Sequence, residues 1–173
     1  NAEVDDEIID QALAVIRCLW DAGLAHRDIK PANVMLNEGR VVLIDVAFGT
    51  VRPSPWRQAV DLANMMVILG LRTDAAHVYE RALLQFAPED IAEAFAATRS
   101  VTLPSQSRSS LALLKKEQGV DLVEEFNALS PPAEPISIQR WSGRRVRLAA
   151  GALVLGLMLI AIVSSELTGG GIL

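Results

Sequence analysis

Apolar residues recur at helical spacing over residues 5–22, where Ile8, Ala12, Val15, Ile16 and Leu19 line one stripe. Asp5, Asp6 and Glu7 stand at its start, where negative charge suits the helix dipole. Gly23 follows, a residue suited to a left-handed C-terminal cap. The pattern then breaks into 24–36, LAHRDIKPANVML, which reads as a loop. Asn37, Glu38 and Gly39 give a turn signal, and VVLID, ending at Asp45, reads as a short β-branched strand. Helix, loop and strand in this order bring His26, Asp28, Asn33 and Asp45 close together. Beyond Asp45 the chain is rich in turn formers, and Pro53 and Pro55 argue against regular structure there. Asp61 then opens DLANMMVILGL, apolar nearly all round, which predicts a buried central helix with Met65 and Met66 as core fillers. Two amphipathic helices are expected next. One runs from an N-cap at Asp74 to Phe86, the other starts at Pro88 with Glu89 and Asp90 in its first turn. After Pro104 a more polar helical stretch runs to about Leu129, broken at Gly119.

The loop carries the chemistry. Transfer of a phosphoryl group from a nucleotide needs magnesium held against the phosphates and a carboxylate that orients the acceptor hydroxyl. Magnesium is hard and takes oxygen ligands, which Asp and Asn side chains supply. The chain offers Asp28 in His26-Arg27-Asp28, then Lys30-Pro31, then Asn33, and finally Asp45 after the strand. This HRDxKPxN pattern followed by a metal-type Asp resembles the catalytic loop of protein kinases, and LWDAGLAHRDIKP resembles the run-in of a serine/threonine kinase. The resemblance covers about residues 5 to 100. It implies a mainly α fold, the C-lobe of a protein-kinase-like domain with a short β-hairpin at the catalytic loop, and ATP and Mg2+ as cofactors. Asp28 would orient the acceptor and take its proton, and Lys30 would neutralise charge on the phosphoryl group. Asn33 and Asp45 would hold magnesium, His26 would pack beneath the metal-binding turn, and Asp61 would support the catalytic-loop backbone.

There are departures from the family pattern. The expected Asp-Phe-Gly reads Asp45-Val46-Ala47, with Phe48-Gly49 one place later, and the segment up to Asp61 is short and lacks Ala-Pro-Glu. In this it is more similar to atypical kinases. No Gly-rich loop, strand Lys or partner Glu precedes the motif, so the chain is expected to be the C-terminal part of a longer protein and inactive alone. The acceptor is either a protein or a small-molecule hydroxyl. A pseudokinase or nucleotide-sensing module is the first alternative, and a small-molecule kinase the second. Thr50 and Ser54 are the hydroxyls available for phosphorylation and reading by Arg27, an unmodified loop being the simpler expectation. Trp20 is expected beneath the catalytic loop, His77 facing solvent, and the lone Cys18 buried as a free thiol.

Composition changes the picture at the C-terminus. The 173 residues carry a net charge of -5, which argues against nucleic acid as a partner, and 51% of them are hydrophobic. The hydrophobic excess is concentrated late in the chain. After SPPAEP at 130–135, a stiff linker, Arg140, Arg144, Arg145 and Arg147 appear around Trp141, with no acidic residue over 136–164. Residues 148–163 are uncharged and apolar apart from glycines. A stretch of this kind, with arginines and a Trp at its mouth, predicts a transmembrane helix whose preceding domain faces the cytoplasm. The lipid bilayer is therefore an expected partner. The expected organisation is a kinase-like C-lobe over 1–129, a Pro-rich then basic linker over 130–145, a span over 146–164 and a short tail over 165–173. This order resembles bacterial proteins in which kinase-like modules precede membrane regions of the lysylphosphatidylglycerol synthase or flippase type.

Overall fold

A computed structural model describes residues 4–98 and 102–133, together with 151, 154–158, 160 and 164. Helix α1 spans Asp6–Asp21. The Asp5 side chain caps it by accepting from the Ile8 amide at 3.0 Å, and Gly23 at φ +65 ends it with its N–H on the Trp20 carbonyl. Strand β1 (Leu24–Ala25) leads into the loop with a 3₁₀ turn at Pro31–Asn33. Strands β2 (Val34–Asn37) and β3 (Arg40–Leu43) pair antiparallel, Asn37 opposite Arg40 and Val34 opposite Leu43. Glu38 at φ +50 and Gly39 at φ +75 make the two-residue turn between them, whose twist matches that of the strands. A second 3₁₀ turn at Val46–Phe48 precedes β4 (Thr50–Val51), which pairs antiparallel with β1. Then come α2 (Pro55–Gly70), α3 (Ala75–Ala82), α4 (Pro88–Ala96), α5 (Ser105–Gln118) and α6 (Leu122–Leu129). The protein is mainly helical with small two-stranded sheets, as the sequence pattern predicts.

The core forms around α2. Leu62, Met65, Met66 and Val67 are fully buried and meet Ile9, Leu13 and Ile16 of α1, Val78 and Ala82 of α3, and Ile91 and Phe95 of α4 in one hydrophobic cluster. Phe126 of α6 stacks on Phe95 with ring centroids 4.6 Å apart. Gly70 lets α6 approach the end of α2, since a Cβ there would lie 3.1 Å from Leu122 and 3.2 Å from Phe126, both buried. Overpacking of this kind is costly. Gly70→Val is expected to lower stability by about 2 kcal/mol in urea denaturation, although valine is the better helix former.

Three expectations are corrected here. Cys18 is exposed rather than buried, because it stands about two and a half turns beyond the fully buried Ile9, on the opposite face of α1. The buried stripe is Ile9, Ala12, Leu13 and Ile16, so Ile8, Val15 and Leu19 lie on its half-buried border. The central helix begins at Pro55, not Asp61. Pro55 occupies the first helical position, where its missing N–H is no loss, and so starts the helix instead of excluding it.

The chain divides into two compact units, Asn1–Ile136 and Ser137–Leu173. Arg140, Trp141, Arg144, Arg145, Arg147 and most of the expected span at 146–164 lie outside the described residues. Those described within the span are helical, and Val154, Leu155, Leu157, Met158 and Ile160 are exposed. Among the described residues no helix is long and apolar enough to cross a membrane.

Candidate functional site

Hairpin register builds the site. The pairing of β2 with β3 continues one step, with the Ile44 amide on the Asn33 carbonyl at 3.0 Å, so Asn33 ends up beside the chain that leads into Asp45. Asn33 is 4% exposed, and its Nδ2 donates to the Asp28 carbonyl at 2.9 Å and to Asp28 Oδ2 at 3.0 Å. Lys30 Nζ donates to the same Oδ2 at 2.6 Å. Both donors therefore load one carboxylate oxygen of Asp28 and leave Oδ1 for another partner. The hydrogen bond that Lys30 donates to Asp28, and behind it the charges of Asp28 and Asp45, hold the Lys30 ammonium above its usual value. Asp45 stands exposed in the left-handed region at φ 61, ψ 61, with its carboxylate capping nothing.

Beneath the loop, Asp61 is 1% exposed and accepts from the backbone amides of His26 (Oδ2, 2.6 Å) and Arg27 (Oδ1, 2.9 Å). Burial pushes its carboxyl up to about 6, against the pull of those two amides and of the nearby charges of His26 and Arg27. His26 is 3% exposed, with Nε2 at 3.1 Å from the Ile44 carbonyl. That contact makes Nε2 the donor and leaves Nδ1 buried without a partner among the described residues. Arg27 sits at φ +67. Arg27 and Asp45 are two of the four non-glycine residues with positive φ among the described residues, the others being Glu38 and Arg52. Strain of this kind persists where the surrounding structure imposes it and gathers at functional sites.

Asp28, Lys30 and Asn33 are brought into direct contact, Asp45 lies within electrostatic reach of Lys30, and His26 and Asp61 sit underneath. Among the described residues no group of three or more His, Cys, Asp or Glu is placed to hold a metal. The donor set still suits magnesium, which is held by one or two side-chain oxygens together with phosphates and water. Asn33 Oδ1, left free by the amide's use of Nδ2, and the Asp45 carboxylate supply such oxygens. Met35 and Val42, a register pair, are both exposed, and Ile44, Val46 and Phe48 flank Asp45 with further exposed apolar side chains. A groove of about 540 Å³ between α1, the hairpin, the end of α2 and α5 shares Pro31, Val34 and Met35 with this region but is lined by none of Asp28, Asn33 or Asp45.

Several supporting residues carry no legible signal in the sequence. Gln11 of α1 clamps the hairpin, donating to the Gly39 carbonyl at 3.2 Å and accepting from the Val41 amide at 3.0 Å. Gln58 donates to the Leu24 carbonyl at 3.0 Å, and its own carbonyl accepts from Trp20 Nε1 at 3.1 Å. Trp20 therefore packs on α2 and edge-on to Phe86 (centroids 5.2 Å apart) instead of beneath the catalytic loop. His77 is not simply solvent-facing, since its Nε2 lies 2.9 Å from Asp6 Oδ1 and ties α3 to α1. Comparison with protein-family models, with curated proteins and with solved structures returned no match.

Proposed function

We propose that this chain carries the catalytic half of an ATP- and Mg2+-dependent phosphotransferase of the protein-kinase-like type. The observation that carries the reading is the shared loading of Asp28 Oδ2 by Lys30 and Asn33, with Asn33 drawn by hairpin register toward Asp45. Oδ1 of Asp28 is then free to accept from an acceptor hydroxyl and take its proton as the acceptor oxygen bonds to the γ-phosphorus and the bond from that phosphorus to the departing nucleoside diphosphate breaks. Lys30, already charged and held at the carboxylate, stands ready for the negative oxygens of the phosphoryl group. Asn33 and Asp45 would hold magnesium, which screens the phosphate charge when bound. The exposed apolar side chains beside Asp45 suit the flat face of a nucleotide base. The arginine-flanked apolar stretch at 146–164 supports attachment to a membrane, with the kinase-like domain on the cytoplasmic side.

The test is transfer of labelled γ-phosphate by the native protein, with protein and small alcohol acceptors offered in parallel. Transfer should require Mg2+, and Asp45→Ala should lower it by about a hundredfold or more at fixed Mg2+. Transfer that persists in chelator, or is indifferent to Asp45, would sink the proposal. One observation favours a regulatory, pseudokinase reading: Phe48, displaced by one place from the family position, is 57% exposed and packs in no core. Nucleotide binding without transfer to any acceptor is the outcome that reading requires.

A further inference from the structure

Strand β3 delivers the chain to Asp45, and among the described residues it pairs with β2 alone. The Ile44 amide meets the Asn33 carbonyl, so that pair is hydrogen-bonded. By the alternation of an antiparallel ladder Leu36 and Val41 are then a non-bonded pair, and the Val41 N–H points out of the hairpin. Gln11 of α1 takes the place of a neighbouring strand on that edge. Its Oε1 accepts from the Val41 amide at 3.0 Å, and its Nε2 donates to the Gly39 carbonyl at 3.2 Å. These are the two backbone groups that flank Arg40. The other hydrogen of Nε2 goes to Glu7 Oε1 at 3.2 Å, one turn back on α1, which fixes the plane of the amide.

At the far end the chain is held again, by His26 Nε2 at 3.1 Å from the Ile44 carbonyl. Between the two anchors Val41 and Leu43 pack half-buried against the core. Asp45 comes directly after the second anchor. It is exposed and its carboxylate caps nothing, so its place relative to Asn33 is set by the strand that delivers it. We propose that Gln11 is a positioning residue for Asp45: by anchoring β3 to α1 it sets how well Asp45 and Asn33 together hold Mg2+. Partners that orient a metal ligand from behind in this way tune affinity for the ion without touching it. The metal role rests on the phosphotransferase reading; the anchoring of the strand does not.

Amide hydrogen exchange on the intact chain, without nucleotide or Mg2+, reads the anchoring directly. Gln11→Ala should speed exchange about tenfold at Val41, whose partner is gone, and at Ile44, three residues on. The amides of α2 should keep their wild-type rates, since alanine suits α1 and the core is untouched. In labelled γ-phosphate transfer, the Mg2+ concentration for half-maximal rate should rise about tenfold in the variant, and the rate at saturating Mg2+ should stay within about twofold. Loosening confined to Val41, or faster exchange throughout α2, overturns the proposal. So does a loss of rate that added Mg2+ fails to restore. Absence of transfer by the wild type overturns the phosphotransferase reading and with it the metal role, while the exchange rates still decide the anchoring.

Discussion

Asp28→Asn is expected to cut phosphoryl transfer by on the order of 10³-fold while leaving nucleotide binding within a few-fold of wild type. The substitution keeps the shape of the side chain and one oxygen for Lys30 and Asn33, whose donors now converge on Oδ2. What it removes is the capacity to take a proton from an acceptor hydroxyl at Oδ1. The fold should tolerate the change, because Asp28 is half-buried and belongs to no apolar contact of the core. Single-turnover transfer, nucleotide titration and thermal melting on the same preparations separate these effects. A variant that transfers phosphate as fast as wild type would remove Asp28 from the chemistry. A native protein that binds nucleotide and transfers nothing, with or without Asp28, would leave the regulatory reading in its place.

Asp61→Ala should be the most damaging substitution for the fold of the loop. It takes the acceptor from two amides at once, those of His26 and Arg27, at a position only 1% exposed. It also removes what holds Arg27 in left-handed backbone. Loss of a buried, hydrogen-bonded carboxylate is expected to cost about 3 kcal/mol at pH 7. The cost should depend on pH in a defined direction. The folded-state pKa of about 6 lies above the ordinary 3.8, so folded protein holds a proton that the unfolded chain has released between those values. That contribution is full below the unfolded value and is lost as pH rises through about 6. The wild type therefore gains on the variant by about 1 kcal/mol between pH 7 and pH 5. Urea denaturation of both proteins at the two pH values measures it. A difference that is flat, or that shrinks on acidification, would place the Asp61 carboxyl in a more polar setting than the structure does.

Much of the architecture is legible in local chemistry. The caps at Asp5 and Asp74, the left-handed Gly23 and Gly119, the Glu38-Gly39 turn and the helix start at Pro88 each follow from one or two neighbouring residues. The catalytic-loop motif likewise places Asp28, Lys30 and Asn33 within reach of each other, because they lie only two and five residues apart. Errors arise where one residue type serves opposite ends of a rule. Pro55 starts a helix that a proline was expected to prevent, and its position relative to Ser54 decides which. Cys18 lies off the buried face because Ile8 and Val15, half-buried, make the apolar stripe of the sequence wider than the buried one.

The sequence by itself determined the run of helices, the hairpin turn and the residues that carry the proposed chemistry, since each depends on separations of a few residues, but not the start of the central helix or the strands within 24–37. Only the tertiary structure decided which long-range partners hold them. Gln11 clamps a hairpin twenty-eight residues on and β4 returns to β1 across the whole catalytic segment, whereas the reach of Asp61 to the loop from thirty-five residues away is what the family resemblance implies. No local pattern encodes such pairings. A polar side chain on a helix is equally consistent with solvent and with a backbone amide until packing brings that amide within hydrogen-bond distance, and burial then makes the bond obligatory.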